Sequence, residues 1–184
     1  MDCPLCGAHD AREIPGPYQY AQSGLDWVRL EGVEHVECQH CHEVTVTIPN
    51  ESRLLELIAK TIIEADRPLG SKEIRFLRGL IGWTQDKLGA SVGKQRLAVA
   101  RWESDPKHRP GPQTDLILRL VWLKAYLEQE REEGCGFLDD ALLQRMTERI
   151  QQIGGAIKRI RTAPALSHVS INARTCEVVT VECG

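Results

Sequence analysis

The stretch WTQDKLGASVGKQRLAVARWE, residues 83–103, decides how this chain is read. Thr84 is placed to cap a first helix, Gly93 interrupts it, and a second helix is predicted from about Gln95 to Glu103. Leu88 and Val92 point inward from the first helix, Val99 and Trp102 from the second, so one apolar seam joins them. Helices that cross steeply need a small residue where they touch, and Gly89 stands there. The turn between them needs a residue tolerant of positive φ, which Gly93 supplies. Trp102, at helical spacing from Val99, reads as core and not as a stacking platform. This is the pattern of a helix-turn-helix.

The pattern leaves Gln95, Arg96, Leu97, Ala100 and Arg101 on the outer face of the second helix. The first turns of such a helix enter the major groove of DNA. Arginine reads guanine through paired bonds to O6 and N7, so Arg96 and Arg101 are the base-contact candidates. Gln95 suits adenine or a phosphate, and Gln85 can fix register against a phosphate. Lys94, Lys107 and Arg109 suit sequence-independent phosphate contacts. Leu97 is apolar at a groove position, which fits a thymine methyl or a partner contact. Lys72, Arg75, Arg78 and Lys87 read as a solvated face. Charge agrees with DNA: residues 68–112 carry 9 basic and 4 acidic side chains, whereas residues 1–67 carry 5 and 12.

Outward from this core, Asn50 is placed to cap a helix over about 51–66, broken by Arg67-Pro68-Leu69-Gly70. Ser71 is the expected cap of the next helix, whose inner face is Ile74, Leu77, Leu80 and Ile81. After the loop at 107–112, Thr114 is expected to cap a helix reaching Leu127, with Leu116, Ile117, Leu120, Leu123 and Leu127 as its apolar stripe. A further helix is predicted over 139–153, able to pair with that stripe. Val169/Ile171 and Val179/Val181 suggest a hairpin about Ala173–Thr175. Before residue 50 the chain is turn-rich, with short strands predicted at 27–30, 33–36 and 44–48.

Four of seven cysteines form two C-x-x-C pairs, Cys3/Cys6 and Cys38/Cys41. Such turns present two thiolates to one ion, and two of them make a tetrahedral four-sulfur site suited to Zn2+. Four thiolates leave no open position, so one structural zinc per chain is expected, holding together about 50 residues that lack a sufficient core. His9, His40 and His42 read as loop histidines, and Cys135, Cys176 and Cys183 as unligated thiols.

The 184 residues are 42% hydrophobic and 27% charged with a net charge of −3, which suits a folded chain. No apolar run of about 18 residues exists, so a membrane-spanning helix is not expected. The start, Met1-Asp2-Cys3-Pro4, lacks the features of a signal peptide, and a cytoplasmic location follows. No nucleophile–base pair or phosphate loop stands at meaningful spacing, so no enzyme activity is expected.

The whole resembles the MqsA-like antitoxins of bacterial type II toxin–antitoxin systems, with a YgiT-type four-cysteine zinc module before an Xre/Cro-type helix-turn-helix. Both cysteine pairs carry the resemblance, with Ile14-Pro15…Tyr18, Leu30-Glu31-Gly32, Trp83-Thr84-Gln85 and Ala100-Arg101-Trp102-Glu103, over roughly residues 1–127. It implies a zinc domain that binds a toxin and a DNA-binding domain that dimerises and represses its own operon. Arg101 matches the family's base-reading arginine, while Leu97 stands where its asparagine would be. The expected fold is α+β. A small β-rich zinc-binding domain (1–49) and a connecting helix and linker (50–69) precede an all-α helix-turn-helix domain (70–127) and a helical and β-hairpin extension (128–184). The expected function is a homodimeric, sequence-specific repressor of the antitoxin type bound to its own operator. The alternatives are a stand-alone regulator without a toxin, or an adaptor whose helix-turn-helix has lost DNA.

Overall fold

The computed structural model describes residues 1–133, 166–175 and 177–183, and the fold is mixed α+β. The chain divides into two compact units, Met1–Leu57 with Leu166–Gly184, and Ile58–Ala165. The helix predicted over 139–153 and residues Cys135 and Cys176 lie outside the described residues. No described helix is long and apolar enough to cross a membrane.

The first unit holds two small sheets. β1 (Ala11–Glu13), β4 (Glu34–Cys38) and β5 (Val44–Thr47) form an antiparallel sheet in the order β1-β4-β5. β2 (Tyr18–Gln19), β3 (Val28–Glu31), β6 (Leu166–Asn172) and β7 (Glu177–Cys183) form the other, in the order β2-β3-β6-β7. The turn at 173–175 joins β6 to β7 as an antiparallel hairpin. The sequence reading set 128–184 apart as an extension, yet β6 lies parallel beside β3, with Val28 opposite Val169 and Leu30 opposite Ile171. Val28, Leu30, Val169 and Ile171 are fully buried, so alternate residues of both strands fill one core. Strand β3, already paired with β2, therefore gains its second hydrogen-bonding neighbour from a segment far along the chain: Val169 N–H donates to Trp27 O at 2.8 Å, and Ala173 N–H to Glu31 O at 3.1 Å.

The second unit begins inside α1 (Glu51–Glu64) and continues with α2 (Ser71–Leu80), α3 (Gln85–Ser91), α4 (Arg96–Ser104) and α5 (Pro112–Glu133). Helix α1 starts at Glu51, directly after Asn50, as expected, while the starts of α2 and α5 differ. Asn50 adopts φ 57 and turns the chain into α1, its carbonyl accepting from Leu54 N–H at 3.1 Å. Gly70, not Ser71, is the N-cap of α2: Glu73 reaches back to accept the Gly70 N–H at 2.7 Å, and the buried Ser71 hydroxyl has no partner among the described residues. Helix α5 begins at Pro112, two residues before Thr114, because proline is tolerated in a first turn whose N–H has no intrahelical partner. Thr84 caps α3 as expected, its hydroxyl accepting from Lys87 N–H at 3.2 Å.

The buried face of α5 is Asp115, Leu118, Arg119, Trp122, Leu123, Ala125 and Tyr126, while Ile117 of the expected stripe is exposed. Arg119 explains the rotation. Its guanidinium donates to the carbonyls of Ile62, Ile63, Ala65 and Arg67 at 2.8, 2.7, 3.0 and 2.5 Å. Ile62 and Ile63 lie in the last turn of α1 and Ala65 and Arg67 follow it, where carbonyls have no intrahelical partner. Asp115 holds Arg119 Nε at 2.9 Å and accepts the Leu69 N–H at 2.7 Å. Trp122 donates to Leu77 O at 2.6 Å and stacks on Tyr126 with ring centroids 5.0 Å apart.

Helix α3 and the start of α4 approach closely at Gly89. A Cβ on Gly89 would lie 2.8 Å from Lys94 O and 3.3 Å from Gln95 C, while Lys94 N–H donates to Gly89 O at 2.8 Å. Both partners are backbone and cannot swing aside. Gly89→Ala is expected to lower unfolding free energy by about 1–3 kcal/mol through overpacking, read as a lower urea midpoint at unchanged m.

Candidate functional site

Two clusters carry chemistry, one in each unit. In the first, Sγ atoms of Cys3, Cys6, Cys38 and Cys41 lie within 4.8 Å of one another, and the four could hold a metal ion. Cys3 and Cys41 sulfurs are 3.8 Å apart and Cys6 and Cys38 sulfurs 3.6 Å, far too long for disulfides. The two turns repeat one construction. Gly7 N–H donates to Cys3 O at 2.9 Å and His42 N–H to Cys38 O at 2.8 Å. Cys3 N–H donates to Ala8 O at 2.8 Å and Cys38 N–H to Glu43 O at 3.0 Å. The residue after each pair is left-handed, with φ 73 at Gly7 and φ 59 at His42. His42 thus acts as a turn residue, a role its position after the second cysteine pair could have disclosed. His9 pairs with Asp2, outside the sulfur cluster.

Backbone amides of Cys6 and then Leu5 hydrogen-bond the Cys3 sulfur and draw its pKa down to about 6. At Cys41 the Glu43 amide acts downward, but burial and the sulfurs of Cys38, Cys6 and Cys3 outweigh it and push the thiol up to about 12. The crowded sulfurs repel one another's negative charge, which is the electrostatic condition a cation relieves. Around them the core is small: Cys3, Ala11 and Cys38 are buried, with Ala8, Val36 and Cys41 packed against them.

The second cluster lies on α3 and α4. Gln95, the N-cap of α4, and Lys94, Arg96, Leu97 and Arg101 are all exposed. Arg96 Nε is 3.6 Å from Asp86, both exposed, whereas the Arg101 side chain has no partner among the described residues. Leu97 is 57% exposed. Lys107 and Arg109 lie in the loop before α5, where Arg109 Nε donates to Pro106 O at 3.2 Å. The Lys107 amide and then His108 hold the Asp105 carboxyl below its usual range.

Gln85 and Arg78 do something else. Glu103, buried at the end of α4, accepts Arg78 Nε at 2.6 Å, Arg78 Nη2 at 3.0 Å and Gln85 Nε2 at 2.9 Å. Arg75 Nη2 also donates to Glu103 O at 3.1 Å. The carboxylate raises the Arg78 pKa through these charge-assisted bonds. Lys87 lies over the Trp83 ring, 4.6 Å from its centroid. Of the side chains read as a solvated face, Arg78 is an internal strut. Sequence reasoning missed Glu103, although its spacing from Val99 places it in the buried phase of α4.

The chain matches no family model, no curated protein and no solved structure. Removing Glu103 leaves Arg78 charged with no counter-ion, so Glu103→Ala is expected to cost about 3–5 kcal/mol of stability. Arg101→Ala, at an exposed and unpaired side chain, leaves the thermal midpoint unchanged; differential scanning calorimetry of the two variants checks the contrast.

Proposed function

We propose that the chain is a sequence-specific DNA-binding repressor of the antitoxin type, acting in the cytoplasm as a homodimer on its own operator. The observation that carries this reading is the start and outer face of α4: Lys94, Gln95, Arg96 and Arg101 stand exposed, and Arg101 has no partner among the described residues. In the helix-turn-helix reading, α3 positions the pair and α4 enters the major groove. Arg101 and Arg96 read bases, Gln95 takes a base or phosphate, and Lys94, Lys107 and Arg109 neutralise phosphates. Gln85 contributes by bracing Glu103, which supports α4 from behind. The excess of basic side chains over residues 68–112 within a chain of net charge −3 supports a local field directed at phosphate.

The four-cysteine cluster holds one Zn2+ in a structural role. Zn–S bonds of about 2.3 Å put tetrahedral sulfur–sulfur edges near about 3.8 Å, and two edges measure 3.6 and 3.8 Å. The zinc-bearing unit is then free to bind a protein partner, for which the family resemblance names a toxin.

DNA sites selected from a random pool and titrated by fluorescence anisotropy test the DNA reading. Arg101→Ala should weaken a selected site by about 1–3 kcal/mol and relax its sequence preference, whereas Lys94→Ala should weaken all sequences alike and lower the salt slope by about 1. Full specificity retained in Arg101→Ala overturns the assignment. For the metal, elemental analysis should return one zinc per chain, and Cys38→Ser should lose it. That loss unfolds the first unit, seen as new protease cleavage between residues 1 and 50, while helical circular dichroism persists.

A further inference from the structure

We infer that Leu97 reads the C5-methyl group of a pyrimidine in the major groove, so that each operator half-site carries a thymine whose methyl is needed for binding. This rests on the DNA-reading proposal above and adds a base identity to it.

Leu97 is the second residue of α4, a nine-residue helix, and is 57% exposed. On its own face stand Ala100 and exposed Arg101, three and four residues on, and exposed Arg96 precedes it in the first turn. The core of the helical unit closes without Leu97, because Val99 and Trp102 supply the buried face of α4. A branched aliphatic side chain held in water in the first turn of a helix contributes nothing to that core and is free to meet an apolar group on a bound surface. In the groove, phosphates, N7, O6, O4 and the amino groups are polar, and the C5-methyl is the apolar feature of a base-pair edge. Leucine offers no hydrogen bond, so it cannot select adenine or guanine. It can distinguish thymine from a pyrimidine without the methyl.

The same methyl occurs on 5-methylcytosine, so the shared chemistry is the C5-methyl and the test separates its two sources. Binding sites are first selected from a random duplex pool with the full chain. Within a selected site, each thymine is replaced in turn by uracil, which removes the methyl and leaves the hydrogen-bonding edge intact. At one thymine per half-site, uracil should weaken the wild-type protein about fourfold, the loss expected for one buried methyl, and leave Leu97→Ala unaffected. At that position a methylated cytosine–guanine pair should bind the wild type more tightly than the unmethylated pair, by a similar factor. A larger effect of methylated cytosine than of thymine assigns the methyl to DNA modification and overturns the thymine assignment. Sites that are selected but tolerate uracil at every thymine overturn the inference and leave DNA reading intact. Equal sensitivity in wild type and Leu97→Ala overturns the role of Leu97. If no sequence is enriched, the DNA reading itself falls. Because Leu97 lies outside the core, Leu97→Ala should melt with the wild type.

Discussion

The buried carboxylate of Glu103 governs the geometry of the helical unit. Its side chain is 1% exposed, and transferring such a charge out of water is costly. Arg78 from α2 supplies two N–H groups to it, and Gln85 from the start of α3 supplies a third. Three helices are thereby fixed to one pair of oxygens, and the outward angle of α4 follows from that attachment. Hydrophobic contact through Leu88, Val99 and Trp102 favours closeness of the helices but is non-directional. The charged hydrogen bonds add direction.

Arg119 does the complementary work at the other end of the unit. One guanidinium closes four carbonyls at the end of α1 and is itself held by Asp115. The polypeptide between α1 and α2 is thus anchored by α5. Arg67 paired with Glu73, and Asp115 on Leu69 N–H, complete the arrangement. Beside the apolar core, which includes Trp102, Trp122 and Tyr126, these buried ionic groups add directional contacts to the packing.

These anchors mark where the sequence was readable and where it was not. The cysteine turns, Gly89 and Thr84 could be read because each answers a local demand made within a few residues. Strands β3, β4 and β5 were visible through their β-branched residues, while β1 and β2 span only three and two residues and left no period to detect. The inner face of α5 was misplaced because Asp115 and Arg119 lie on it, and hydrophobic periodicity counts a buried ion pair as solvent-facing. Gln85 was read as a phosphate contact and Arg78 as a solvated face because their partner, Glu103, lies 18 and 25 residues away. Among the expected surface residues, Arg96, Leu97 and Arg101 needed only helical phase, and all three are exposed.

The parallel pairing of β3 with β6 has a consequence for biosynthesis. Arg174, just beyond β6, bonds Gly32 O, just beyond β3, across 142 residues of sequence. During translation, β3 leaves the ribosome with one flank unsatisfied, and it stays so until β6 emerges. Helices α1 to α5 are all made in that interval and can fold first, since domains commonly fold as units as they are synthesised. The cysteine turns also emerge early, within residues 3–41. Ligation there would give the nascent N-terminal segment local order while its second sheet waits for a partner. The interval before β6 arrives is when the apolar side chains of β3 are most open to chaperones and to aggregation.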